Sequence, residues 1–187
     1  MATSATETST RRTTTWTVDP SHSNVEFAVK HLMISTVKGR FGDVKGTVHT
    51  DESDPKHALV DIEIGTASID TRSEQRDAHL RSADFFEVER FPTMRFKSKR
   101  VVGETTGKFK LVGDLTIRDV TKEVTLEAEF TGRGKDPWGG ERIGFEAEGK
   151  INRKEFGLTW NQALETGGWL VGEDIKLSIE VELVKQS

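Results

Sequence analysis

The sequence predicts an all-β fold: an antiparallel eight-stranded β-barrel with one helical insertion capping an end. Two observations carry this. Apolar residues fall on every second position in run after run between Val25 and Leu183, and successive side chains on a strand point to opposite faces, so each run has one dry face and one wet face. Only one long segment leaves this pattern with helical features. A sheet with a dry face must cover that face or curl around it, and curling makes a barrel whose interior can hold a ligand.

In chain order, residues 1–14 are rich in serine and threonine and low in complexity. They read as a disordered tail, with the barrel domain over 15–187. Strands are expected at 15–18, 24–31, 36–49, 58–65, 93–102, 108–117, 123–131, 142–151 and 174–184. Val25, Phe27 and Val29 form the inward stripe of one, Val60, Ile62 and Ile64 of another, and Ile175, Leu177, Ile179, Val181 and Leu183 of the last. Gly39, Gly42 and Gly46 interrupt the long 36–49 run, which suggests bulges or sharp coiling where the sheet bends. Gly113 to Lys122 reads as a strand, a tight turn and a second strand.

Between 58–65 and 93–102 the chain makes its long excursion. Thr71 followed by Glu74 has capping-box spacing, and Arg72 to Ala83 is highly charged and helix-tolerant. Asp84-Phe85-Phe86 trails the helix and Phe91-Pro92 closes the excursion. Loops of such length inside a compact domain are usually functional, and the Phe pair is placed to plug one end of a barrel. Two glycine-rich loops carry Trp138 and Trp169. Tryptophan is mostly buried, so both are expected to pack over an open end of the sheet, with contact to a ligand or a membrane surface as the alternative.

Composition narrows the function classes. There is no cysteine, which excludes disulfides and thiolate metal sites. A net charge of −4 argues against a nucleic-acid partner. Residues 1–14 contain no apolar run of the kind a secretory signal needs, and nothing approaches the roughly 20 apolar residues of a membrane span. A cytoplasmic location is the expectation.

Catalytic patterns are absent. His22, His31, His49, His57 and His79 show no metal-ligand spacing, and no serine sits in a GxSxG elbow. His22 lies among the turn formers Asp19-Pro20-Ser21 and reads as a hydrogen-bonded structural residue. His31 ends the Val25 stripe, where it meets either a ligand head group or a backbone carbonyl. Arg76-Asp77 reads as an ion pair pinning the helix to the barrel rather than as half of an acid–base device. The interior is the stronger feature. Its expected members include Phe27, Val29, Phe41, Ile62, Ile64, Met94, Phe96, Leu115, Leu126 and Phe145. Such a barrel is either just filled by its side chains or holds one small ligand.

The order of motifs resembles the YceI-like family. Trp16 to Ser23, His31 and Gly39-Arg40-Phe41 match its opening. Ser68 to Thr71, Arg76 to Leu80, Asp84-Phe85-Phe86, Phe91-Pro92, Gly113 to Ile117, Asn152-Arg153, Phe156-Gly157, and Gly172 with Asp174 continue it. The resemblance runs from Trp16 to about Val184. It implies an extended lipocalin-like barrel that binds a polyisoprenoid chain in an apolar tunnel. Asp119 stands where family members often have glycine, and many members carry a signal peptide that this chain does not show.

Together these give a carrier for a long apolar lipid, an isoprenoid or isoprenoid quinone, with no catalytic residues, no metal and no cofactor beyond a bound isoprenoid lipid. The expected ligand contacts are the ten interior residues above and Phe85, with His31, Arg76 and His79 as head-group candidates. The alternatives are a stress-response module with a filled barrel, or an enzyme acting on an apolar substrate. Transient membrane contact and a homodimer through exposed strand edges are further expectations.

Overall fold

The computed structural model describes residues 12–187. Eleven strands make one antiparallel sheet. They are β1 (Thr13–Val18), β2 (Asn24–His31), β3 (Ser35–Phe41), β4 (Val44–Asp51), β5 (Leu59–Gly65), β6 (Ile69–Asp70), β7 (Thr93–Gly103), β8 (Lys108–Ile117), β9 (Val120–Lys135), β10 (Glu141–Asn152) and β11 (Asp174–Lys185). The helix α1 spans Glu74–Arg81. β1 begins inside the segment expected to be a tail; residues 1–11 of that segment lie outside the described residues.

The sheet closes on itself. The ring runs β1–β4–β5–β7–β8–β9–β10–β11 and back to β1 through Trp16↔Lys185 and its neighbours. It has eight passes because β1 with β2, β3 with β4, and β5 with β6 are each one pass broken by a bend: β2 also pairs β11 and β3, and β3 pairs β6. The expected single strand at 36–49 is therefore two, separated at Gly42-Asp43. The reason lies in the neighbouring pass, which breaks at residues 19–23, so the wall bends where two interruptions lie side by side. Gly46 is needed in this wall, because a Cβ there would sit 2.3 Å from the Asp61 carbonyl oxygen across the β4–β5 pair. The Gly-rich 132–140 loop is also shorter than expected, since β9 continues to Lys135.

An ionic cluster holds the bend. Arg142 on β10 donates to Asp19 at 2.6 Å, to Glu182 at 2.6 Å and to Asp136 at 3.0 Å. The Ser21 hydroxyl, His22 and Arg142 all hydrogen-bond Asp19, which holds its carboxyl far below the usual carboxylate range. His22 is thus a turn residue, as its neighbours suggest.

α1 starts later than expected. Ser73, not Thr71, is its N-cap, accepting from the Arg76 amide. Arg72 is left-handed at φ 62°, which turns the chain before the helix can begin. Thr71 instead anchors the helix from outside it, since its amide and hydroxyl both donate to the buried Asp77 carboxylate. The insertion is tied down at its base and its tip. Thr66 donates to the Phe91 carbonyl, Arg81 to those of Ala67 and Ile69, and Arg118 reaches Glu87. This insertion, the β2–β3 hairpin tip and residues 153–173 gather at one end of the barrel, the capped end. The β4–β5, β7–β8 and β9–β10 connections gather at the other.

Candidate functional site

A cavity of about 500 Å³ runs through the barrel. All eight passes contribute to its wall. Eleven expected residues line it: Phe27 and Val29 from β2, Phe41 from β3, Ile62 and Ile64 from β5, Met94 and Phe96 from β7, Leu115 from β8, Leu126 from β9, Phe145 from β10, and Phe85 beyond α1. The period-two pattern finds the ten on strands because each pass turns its alternate side chains to the lumen; Phe85 comes from the Phe pair that trails the helix. On β11 the inward Ile175, Leu177, Ile179 and Val181 are only half-buried, although the wall encloses them, because part of each faces the open cavity.

Aromatic rings shape the interior. Phe41 stands between Phe27 and Phe86, with ring centroids 5.6 Å away on each side. Phe145 meets Phe109 and Phe130 nearer the other end. At that other end the lining turns polar with Glu52, Thr105 and Thr106, and Glu52, Pro55 and Thr106 are exposed. This is the mouth.

Three expected contacts do not line the cavity. His31 sits at the end of β2, opposite Val171 in a single bridge, so its neighbour across the loop takes the lining position. Arg76 is spent on Thr71, donating to its hydroxyl and its carbonyl at 2.8 Å each. It therefore makes no ion pair with its neighbour; Arg76 and Asp77 both converge on Thr71. His79 bonds Asp84 at 2.8 Å and lies edge-on to Phe85 and Trp160. All three belong to the cap's scaffolding.

The polar group that does reach the capped end of the cavity is Arg153. Asn152-Arg153 is part of the family pattern, but nothing local in the sequence shows its role. The side chain is 4% exposed. Its guanidinium donates to the carbonyls of Leu158 at 2.6 Å, Gly172 at 2.7 Å, Trp160 at 2.9 Å and Val171 at 3.3 Å. Burial pushes its pKa down, opposed by the nearby Glu173. Arg153 thus latches residues 157–172 across the end of the barrel. Asn161 adds a clasp, with its side chain bonded to both the amide and the carbonyl of Val171.

The tryptophan expectation needs correction. Trp138 is 87% exposed and Trp169 is 50% exposed, so neither covers a sheet end. Trp160, which no sequence pattern singles out, packs against the cap instead.

Asp19, His22 and Glu182 bring potential metal-ligand atoms within 4.8 Å of one another. Arg142 already supplies a cation there. Among the described residues, no helix is long and apolar enough to cross a membrane.

A closed antiparallel barrel with an apolar lumen, a helical cap and a polar mouth defines a lipocalin-like architecture. The comparisons with known proteins specify it further. The YceI-like domain model matches residues 16–183, and the chain belongs to the YceI-like family. It is 41% identical over 170 residues to a UPF0312 protein of Staphylococcus aureus (strain USA300), covering 90% of this chain and 96% of that protein. It is 44% identical over 164 residues to a UPF0312 protein of Serratia proteamaculans, covering 88% and 82%. Among solved structures, the YCEI protein of Campylobacter jejuni is similar at TM-score 0.71 and 37% identity, over 84% of this chain and 90% of that one. BcnA of Burkholderia cenocepacia shares the fold at TM-score 0.76 and 19% identity, over 88% and 98%. A polyisoprenoid binding domain from Saccharophagus degradans shares it at TM-score 0.67 and 12% identity, over 91% and 98%.

Proposed function

We propose that this protein binds and carries a long apolar lipid in its barrel, an isoprenoid or isoprenoid quinone. The observation that carries the reading is the cavity itself: about 500 Å³, walled by apolar side chains along the barrel and polar only near its ends. It argues against the filled-barrel alternative. Along β11 the lining stripe from Ile175 to Leu183 covers eight residue steps, about 26 Å of strand. That shape suits an extended chain better than a compact ligand. The polyisoprenoid-binding description of the Saccharophagus domain, which shares the fold, agrees with such a ligand.

The physics of such binding is mostly area. Each buried methylene contributes about 0.8 kcal/mol. A fifteen-carbon prenyl chain gains about 12 kcal/mol gross, against an association cost of about 4–15 kcal/mol. Affinity therefore rises steeply with chain length until the cavity is full. No histidine lines the cavity among the described residues, and the acidic lining residues lie near the mouth, which favours a binding protein over an enzyme.

The test is mass spectrometry of organic extracts from the protein purified out of its native cells. A discrete prenyl species in near-stoichiometric amount is the expected result. An empty extract, together with no binding of added prenyl alcohols of increasing length, would overturn the reading.

A further inference from the structure

The β2–β3 hairpin tip is built against its own backbone. The turn His31–Ile34 closes with the Ile34 amide on the His31 carbonyl at 3.0 Å. Its two central residues are left-handed, Leu32 at φ 53° and Met33 at φ 60°. Asparagine and glycine are the ordinary residues for this geometry, because larger side chains strain it. Burial does not explain the choice. Met33 is 71% exposed and Ile34 is 82% exposed.

The tip does not stand alone. Residues 161–172 form a second hairpin, which joins the first through the Leu32 amide on Leu170 and the Gly172 amide on Lys30. Gly168 lies directly against Met33, so close that a Cβ there would be 2.6 Å from the Met33 sulfur. The half-exposed Trp169 follows Gly168 on the second hairpin, so the joined hairpins carry it at the same end of the barrel as Leu32, Met33 and Ile34. Lys154 sits over the Trp169 ring at 5.7 Å, giving the patch one cationic rim. The patch is continuous with the cavity wall: Val29 and Val171, the lining residues nearest the tip, flank His31 along β2 and across the bridge.

We propose that this projection docks the capped end of the barrel on a lipid bilayer, with Leu32, Met33, Ile34 and Trp169 entering the headgroup–acyl boundary. The chemistry fits that occupant. Apolar side chains at a protruding tip with a tryptophan beside them match an interface that is wet on one side and dry on the other. A second copy of the chain fits less well, since four partly exposed side chains fall short of the ~800 Å² per partner that a stable interface buries. Lys154 pairs with Glu173 at 2.6 Å, and Glu165 is exposed in the second hairpin. The docking is therefore driven by insertion rather than by charge, and it works on zwitterionic lipid. It rests on the carrier reading only for its purpose, which is to hold the lipid carrier at a membrane surface; the mouth, at the opposite end, then faces water.

The test is co-sedimentation of the full chain with phosphatidylcholine vesicles, with quenching of tryptophan fluorescence by brominated lipid. The wild type binds and is quenched, with little dependence on salt. M33E/I34E weakens binding more than tenfold. L32N/M33G separates structure from docking: it suits the turn and removes two of the four apolar side chains, so it melts at a higher temperature yet binds vesicles less. W138E, at the other end of the barrel, binds as the wild type does. Uptake of N-phenyl-1-naphthylamine reports the cavity independently; it stays unchanged in all variants, and its absence from the wild type would count against the carrier reading alone. Docking is overturned if the wild type ignores the vesicles, if M33E/I34E binds equally well, if W138E loses binding instead, or if the wild type is a dimer that M33E/I34E dissociates.

Discussion

Replacing Arg153 with methionine tests how the capped end is held. Methionine keeps length and apolar bulk but no donor. Val171 keeps a partner, because Asn161 also donates to its carbonyl at 2.7 Å. The carbonyls of Leu158, Trp160 and Gly172 lose theirs. A buried acceptor left unsatisfied costs about 1–3 kcal/mol, which makes the gross loss about 3–9 kcal/mol. Two effects reduce it: the variant no longer buries a guanidinium, and water can reach carbonyls in a surface segment. A net loss of about 2–4 kcal/mol follows. For a chain of 187 residues this lowers Tm by about 4–16 °C. Hydrogen exchange then accelerates at the amides of residues 158–172 more than in β7–β10, and release of a bound prenyl alcohol quickens. Arg153→Lys falls between, since three donors cannot span four carbonyls. A Tm within about 1 °C of wild type in R153M, with unchanged exchange in 158–172, would refute the latch.

Other consequences are as direct. Leu115→Glu places a carboxylate in the apolar lining; the purified variant is expected to retain less than a tenth of the wild-type lipid by extract mass spectrometry, and full retention by a folded variant contradicts the cavity assignment. Gly46→Ala forces the β4 backbone away from Asp61 and should destabilise by about 2 kcal/mol in urea titration, since the obstruction is backbone and not a flexible side chain. Asp19→Asn has a pH signature. The folded carboxyl titrates below its unfolded value, so its contribution is present above the unfolded pKa near 4 and fades as pH falls through the lower folded value. The gap between wild type and D19N is therefore about 1 kcal/mol at pH 7, allowing for partial exposure, and narrows below about pH 4. A constant gap down to pH 2 would show that Asp19 does not carry it.

Much of the barrel is local and readable as such. An alternation such as Val60, Ile62 and Ile64 commits each residue to a face before any partner is known, and ten of the eleven expected lining residues follow from that rule. The break at Gly42-Asp43 is visible in the sequence only as glycine content. Whether a glycine bends a strand, as here, or admits a close backbone neighbour, as at Gly46, depends on the strand across from it. The head-group candidates fail for a related reason. His31, Arg76 and His79 are polar residues near an expected opening, but the fold decides where they end up: the His31 backbone bridges Val171, and the side chains of Arg76 and His79 go to Thr71 and Asp84.

By itself, then, the sequence determined the all-β class, the inward faces, the single capping insertion and the apolar character of the lumen, because each depends on the spacing of neighbours along the chain. Only the tertiary structure decided that the lumen stays open, that Arg153 closes its end through carbonyls five to nineteen residues away, and that Leu32, Met33, Ile34 and Trp169 lie exposed on two joined hairpins at that end. Those features depend on register and on which loops meet, and chain spacing carries neither.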